Sequence, residues 1–127
     1  PELAEIEVGG ERSFVLAKDL DELVSTKPTR AVRLLPGFDQ FVMGPGTEDP
    51  HVIPAHRRSA VSTQSGWIQP VVIAGGIVRG TWALADDRVS VAWFKEGGAV
   101  PRAALRAEAE RLGTIVGRTL ALALRLA

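Results

Sequence analysis

The chain contains no cysteine and no tyrosine, and it has only two histidines and one methionine. Without cysteine it can form no disulfide, no thiol nucleophile and no cysteine-ligated zinc site. No apolar run approaches the roughly 18 residues that a membrane-spanning helix needs, and the first residues lack the pattern of a signal peptide. These absences argue against a membrane protein and favour a cytoplasmic location.

A net charge of either sign is also missing. Lysine and arginine together number 15, as do aspartate and glutamate, so no global field attracts nucleic acid. The charges are spread unevenly, however. Residues 1–25 carry seven acids and two bases, whereas residues 26–106 carry ten bases and six acids. The neutral total can therefore conceal a basic face, although an ordinary solvated surface gives the same scatter.

The length of 127 residues predicts one domain over 1–127. Such a domain buries about two thirds of the surface that its unfolded chain exposes. The sequence begins with Pro1 and enters a strand pattern almost at once, without an initiator methionine. We therefore expect this domain to be a fragment of a longer protein, with removal of the first methionine as the alternative.

Apolar alternation and paired turn residues predict β-hairpins. Gly9-Gly10 separates LAEIEV from SFVLA, and glycines tolerate the positive φ of a tight turn. Further along, Gly75-Gly76 and Asp86-Asp87 separate three β-rich runs. These runs predict neighbouring strands at 67–74, 77–84 and 89–94. Two-residue turns also fix the register, which sets Gly80 between Val71 and Trp93, where the indole could cover its bare backbone.

Other segments follow helical or strand periods. Apolar spacing predicts helices over 18–26, 55–63 and 101–117. Continuous or alternating apolar residues predict strands over 31–36, 38–43 and 119–127. The apolar side of the last helix comprises Leu105, Leu112, Ile115 and Val116, and the final strand aligns Leu120, Leu122, Leu124 and Leu126. The predicted fold class is α+β, with a curved antiparallel sheet or small β-barrel and about three flanking helices.

One polar and aromatic cluster is a candidate for nucleic-acid binding. Arg57 and Arg58 are followed by Gln64 and then Trp67. Such residues can hold phosphates and place a flat ring near a base or sugar. Arg79 and Arg88, on the predicted strands, complete the basic set. A solvated helix next to a core tryptophan is the alternative reading of the same residues.

Two further residues are assigned structural roles. Asp39 lies between Phe38 and Phe41, after a Pro-Gly break. A buried carboxylate there would need donors, which Arg33 or backbone N–H groups could supply. Gly80 would pack against neighbouring backbone. The stretch GGIVRGT around it resembles half of a phosphate loop, but it lacks the lysine and the following helix.

Metal, cofactor and enzyme readings find little support. His51 and His56 are five residues apart, which is not the i,i+4 spacing of a helical metal site, so no metal and no cofactor is predicted. A free-standing enzyme would need Asp39 to converge with one of these histidines in a pocket.

A family resemblance runs through nearly the whole chain. Its motifs are LLPGFD at 34–39, HRR at 56–58, SGWIQPVVIAGGIVRGTW at 65–82, then AWF and a C-terminal helix. In this order they resemble the C-terminal part of winged-helix proteins of the AlkZ-like DNA glycosylase family. The resemblance implies a β-barrel-like domain that follows tandem winged-helix units and accompanies excision of alkylated bases.

The resemblance also bears on catalysis. The family's glutamine–apolar–glutamine or glutamine–apolar–aspartate motif is expected in the N-terminal region, and no glutamine pair here has that spacing. Any glycosylase activity would therefore belong to a preceding part of the protein. We expect a non-catalytic module that binds duplex DNA. The alternative is a structural domain that docks onto the winged-helix units or onto a second copy, in which case Leu120 to Leu126 would form an exposed row.

Overall fold

A computed structural model describes residues 2–127 of the chain. Within this range seven strands form two sheets, and four α-helices and three short 3-10 turns connect them. The strands are β1 Leu3–Val8, β2 Glu11–Leu16, β3 Val32–Leu35, β4 Val71–Ala74, β5 Ile77–Ala85, β6 Arg88–Trp93 and β7 Ala121–Leu126. The α-helices are α1 Leu20–Ser25, α2 Gln40–Met43, α3 Arg58–Val61 and α4 Arg102–Val116. The mixed α+β class is thus confirmed.

The first two strands form the predicted hairpin as a separate two-stranded sheet. Gly9 and Gly10 turn the chain with φ of 57° and 85°, values that glycine adopts without a steric penalty. One face of the hairpin is half-buried, whereas the other exposes Leu3, Phe14 and Leu16. The helix predicted at 18–26 follows as a 3-10 turn and α1.

The main sheet has the order β3-β4-β5-β6-β7. Its first four strands are antiparallel, but β7 runs parallel to β6. The expectation of an antiparallel sheet was wrong at this edge because α4, a 15-residue helix, carries the chain back before β7 begins, and such a crossover joins parallel strands. Within residues 2–127, β3 and β7 are the two edges and do not pair, so the sheet is open and the barrel prediction is not supported.

The pairing predicted for Gly80 is right toward β6 and wrong toward β4. Gly80 lies opposite Trp93, as expected from the turn at Asp86-Asp87, whose φ values of 50° and 56° suit a tight hairpin. On the other side Gly80 pairs with Val72 instead of Val71. A β-bulge causes the shift, because Arg79 is an extra residue between the pairs Ile73–Val78 and Val72–Gly80.

The packing around Gly80 also differs from the expectation. A β-carbon at this position would overlap the backbone carbonyl of Ala92, and the Trp93 indole instead lies against Gly97. Gly80 is therefore required because the two strand backbones approach closely, and the nearest atoms to a β-carbon there would be backbone atoms and not the indole.

Helix α4 covers one face of the main sheet and forms the first hydrophobic core. Leu105 and Ala109 pack against Val89 and Val91 of β6. The apolar side predicted for α4 is partly wrong, because Ile115 and Val116 are 67% and 38% exposed. Ile115 lies at the margin of the stripe through Leu105 and Leu112, whereas Val116 is in line with Leu105 but is the last residue of the helix. The helix ends at Gly117 with φ of 72°, as the sequence predicted.

The chain between β3 and β4 covers part of the opposite face and forms the second core. Val42, Ile53 and Val61 pack there against Val78 and Phe94. The predicted strand over 38–43 was wrong, because residues 40–43 form α2. The alternating stretch is too short to distinguish the strand period of two residues from the helical period of 3.6.

The leucines of β7 do not form an exposed row. Leu120, Leu122 and Leu124 are partly buried against the first core, and Leu126 is 57% exposed. The leucine row that the sequence predicted as a docking surface is therefore mostly covered by helix α4 of the same chain. No helix of residues 2–127 combines the length and apolar character needed to cross a membrane.

Candidate nucleic-acid interface

The predicted polar and aromatic cluster begins on α3. Pro54 precedes a 3-10 turn over Ala55–Arg57, and α3 follows directly. Val61 anchors this helix because its side chain is fully buried in the second core. Arg58 begins this helix, and its side chain is 48% exposed.

A tight turn after α3 presents the remaining residues of the cluster. Ser62 bridges to Ile68, and the Thr63 N–H donates to the Trp67 carbonyl at 3.0 Å. The turn leaves Gln64 exposed, and it leaves the Trp67 side chain 54% exposed. Gln64 also lines a surface depression together with Arg58. The structure therefore places Arg58 and Gln64 at one depression, and Trp67 is exposed at the end of the turn that carries Gln64.

Phe38 joins this surface from the segment after β3. Its ring meets the Trp67 indole edge to face, with ring centroids 5.0 Å apart and ring planes at 86°. This geometry is favourable for aromatic pairs. Phe38 is itself 44% exposed. We call the side chains of Phe38, Arg58, Gln64 and Trp67 the Trp67 surface.

The backbone at Phe38 is strained. Its φ is 59°, in the left-handed region, which costs a residue with a β-carbon roughly 1–2 kcal/mol. Neighbouring contacts impose this conformation. Gly37 passes so close to the Ile68 carbonyl that a β-carbon there would lie 2.8 Å from the oxygen. On the other side, the Asp39 carboxylate accepts a hydrogen bond from the Phe41 N–H at 2.8 Å and caps α2.

Arg57 points into the protein, although it neighbours Arg58 in sequence. Its guanidinium lies 4.4 Å from the centroid of the Phe94 ring. The same group donates to Glu96 Oε2 at 2.7 Å and to the Ala127 carbonyl at 2.9 Å. This guanidinium holds the pKa of Glu96 well below its ordinary value. Arg57 thus ties three segments together, and its Nε and Nη2 donors are engaged within the chain.

Arg58 has weaker partners. Its Nε donates to Thr47 at 3.3 Å, and its Nη2 lies 3.3 Å from Glu48 Oε1. The Glu48 side chain is 81% exposed, and ion pairs between exposed groups contribute little. A phosphate could therefore displace Glu48 at small cost, so Arg58 is the available cation of the pair.

Arg79 and Arg88 do not lie together. The Arg79 carbonyl accepts a hydrogen bond from the Phe94 N–H, beyond the end of β6, whereas Arg88 begins that strand. At about 3.3 Å per residue the two positions are on the order of 20 Å apart. The structure therefore does not bring Arg79 and Arg88 together as one basic set.

The acid–base and metal alternatives show no convergent site. Asp39 caps α2, His51 bonds to Asp49 at 2.9 Å, and His56 bonds to Glu96 at 2.7 Å. Each histidine thus has its own carboxylate, and neither bonds to Asp39. Among residues 2–127, no three histidine, aspartate or glutamate side chains are grouped closely enough to hold a metal ion.

Comparison with known proteins identifies the family. A family model described as DNA glycosylase AlkZ-like matches residues 1–115. The chain therefore belongs to the AlkZ-like family of DNA glycosylases, as its sequence motifs indicated.

Two comparisons give the degree of similarity. The interstrand DNA cross-link repair glycosylase of Streptomyces sahachiroi is 41% identical over 116 residues, which are 91% of this chain and 31% of that protein. The solved structure of the Streptomyces sahachiroi DNA glycosylase AlkZ superposes with a TM-score of 0.90 at 40% identity, over 99% of this chain and 34% of that one. The chain thus spans about a third of the length of these relatives.

Sequence reasoning missed Phe38 as a surface residue. The stretch LLPGFDQFVM is apolar except for Asp39 and Gln40, so its phenylalanines were assigned to a strand with Asp39 as the residue of interest. The available signal was Pro36-Gly37 followed by an aspartate, since aspartate is a preferred helix cap. Reading Asp39 as a cap would have ended the strand before Phe38.

Proposed function

We propose that this chain is a non-catalytic, DNA-binding part of a longer AlkZ-like DNA glycosylase, and that it contacts duplex DNA through the Trp67 surface. A cytoplasmic location, favoured by the sequence, suits a role on DNA. The glycosylase chemistry is assigned to the part of the longer protein that carries the glutamine motif. The winged-helix units implied by the family resemblance would be its neighbours in that protein.

One observation carries this proposal. In a chain of a DNA glycosylase family, an exposed arginine with a weak partner and an exposed amide line one depression, and an exposed indole ends the turn that carries the amide. Arginine can position a phosphate, and an amide or an indole can meet a sugar or base edge. This surface belongs to the segment that covers the sheet face opposite α4, and its side chains are exposed.

A salt titration of duplex binding tests the proposal. Each phosphate contact lowers log K by about 0.9 per unit of log salt. We expect Arg58→Ala to reduce this slope by about one and to weaken binding similarly for different sequences. Arg102→Ala, an exposed arginine on α4 across the sheet, is the matched control and should leave the slope unchanged. Equal slopes for parent and Arg58→Ala would remove Arg58 from the interface.

A second candidate function is a docking domain, favoured by a different surface from the one that the sequence suggested. Leu3, Phe14 and Leu16 are 55%, 57% and 43% exposed on the outer face of the hairpin. A two-stranded sheet is marginally stable by itself, and exposed apolar patches mark interfaces. This face would be covered by the rest of a longer protein, as long as the relatives above, or by a second copy of the chain.

Light scattering over a range of protein concentrations tests this second function. If a second copy covers the hairpin, association rises with concentration and Phe14→Ser reduces it. Val24→Ser on α1, a residue that is 77% exposed, provides a comparison outside the hairpin. A monomer at every concentration argues against self-association and leaves the longer protein's own remainder as the occupant.

A further inference from the structure

Phe38 and Trp67 are two large aromatic side chains that the fold leaves partly exposed to solvent. Neither belongs to the two hydrophobic cores, and they are 44% and 54% exposed. Moreover, Phe38 is fixed at a φ of 59°, which glycine would adopt more readily. Neighbouring contacts hold Phe38 in this conformation, and strained residues held in this way cluster at functional sites.

The geometry of the pair suits a flat aromatic ligand. Because the ring planes meet at 86°, the two rings form a right-angled corner. A planar ring that stacks on one of them presents its edge to the other, and both arrangements are favourable for aromatic systems. The neighbouring Gln64 supplies a donor and an acceptor, and Arg58 supplies a cation.

We propose that the Phe38–Trp67 pair is a stacking site for a nucleobase exposed in unpaired or opened DNA. This inference rests on the proposed DNA-binding function and adds to it a residue, Phe38, and a ligand class. Aromatic side chains stack on bases with little sequence preference, whereas a fully paired and stacked base in an intact duplex offers no free face. The pair therefore distinguishes opened DNA from closed duplex.

Matched variants of the 127-residue chain test the inference. Phe38→Leu and Trp67→Leu each remove one ring of the pair. Phe41→Leu is the control, because Phe41 is also 40% exposed and it forms no ring pair with Trp67 within residues 2–127. Phe38→Gly removes the ring and relieves the backbone, so its melting temperature should be equal to or above that of the parent. It therefore separates lost binding from lost folding.

Three DNA probes are compared by fluorescence anisotropy: an intact duplex, the same duplex with a single unpaired base, and a single strand. We expect the parent chain to prefer the second and third probes. Phe38→Leu, Phe38→Gly and Trp67→Leu should weaken binding to these two probes about tenfold, in the range of base–aromatic stacking. The salt slope should stay unchanged, because no phosphate contact is lost.

Different failures have different meanings. Binding that depends on Arg58 but is the same for the parent, Phe38→Gly and Trp67→Leu would overturn the stacking site and leave the proposed function intact. Equal losses on all three probes, or an equal loss in Phe41→Leu, would also overturn it. No binding of any probe by the parent chain would overturn the proposed function together with this inference.

Discussion

The Glu108 carboxylate of α4 accepts a hydrogen bond of 3.1 Å from the main-chain N–H of Leu34, 74 residues earlier in the chain. Leu34 belongs to β3, an edge strand, so this N–H has no partner in the sheet. Glu108 is 5% exposed and also binds Arg111 at 2.8 Å. The helix therefore satisfies an unpaired edge of the sheet that it covers.

Replacing Glu108 should destabilise the protein. Glu108→Ala leaves the Leu34 N–H without a partner, which costs roughly 1–3 kcal/mol. The cost stays in this range because Arg111, with a side chain 51% exposed, can be solvated by water. Glu108→Gln keeps an acceptor oxygen and should lose about half as much. Urea unfolding measures both free energies, with the exposed Glu110→Ala as control. An equal effect of Glu110→Ala would contradict a specific role for Glu108.

Stability should fall in acid. Burial raises the pKa of Glu108, but hydrogen bonds from Arg111 and Leu34 outweigh it, so the net pKa lies below the ordinary value of 4.5. Arg57 lowers the pKa of Glu96 as well. Below pH 4.5 the unfolded chain therefore binds protons at these groups more readily than the folded chain, and protonation favours unfolding. Unfolding free energies measured across this range should drop, and they should drop less in Glu108→Gln.

Arg57 and Arg58 should separate stability from DNA binding. Arg57→Ala removes the contacts to Phe94, Glu96 and Ala127, so it should lower the melting temperature and leave the salt slope of duplex binding unchanged. Arg57→Lys should be intermediate, because lysine cannot donate a paired fork to Glu96. Arg58→Ala should do the reverse. A lower salt slope in a stably folded Arg57→Ala protein would place Arg57 at the interface.

Gly80→Ala should be strongly destabilising. The added methyl group would overlap the Ala92 carbonyl oxygen, and this backbone atom cannot move without loosening the β5–β6 pairing. The cost should be roughly 3 kcal/mol, at the upper end for overpacking. Thermal unfolding measures it, with Ala83→Ser, an exposed site on the same strand, as control. Stability close to that of the parent would show that the two strands can separate locally.

Local patterns predicted most elements of the fold. The pairs Gly9-Gly10 and Asp86-Asp87 specify turns by their backbone preferences, and α4 has both its periodicity and the Gly117 terminator. The parallel edge strand could not be predicted in this way, because it depends on where α4 packs. The bulge at Arg79 could not be predicted either, since the alternation of apolar and polar residues in a strand does not show where an extra residue is inserted.

The candidate site was predictable in composition but not in arrangement. Adjacent positions gave Arg57 and Arg58 the same interpretation, yet Arg57 contacts Phe94 and Glu96 whereas Arg58 is exposed. Phe38 meets Trp67 only through a contact between residues distant in the chain. Contacts of this kind are tertiary, and single-sequence periodicity does not encode them.

Because of the bulge, side chains of β5 contribute to both cores: Val78 belongs to the second core and Trp82 packs against the first. Because both cores share the main chain of β5, loosening one core should also loosen the other. The five-stranded sheet should therefore exchange its amide hydrogens as a single cooperative unit. The hairpin of β1 and β2, which pairs only with itself, should exchange earlier and independently.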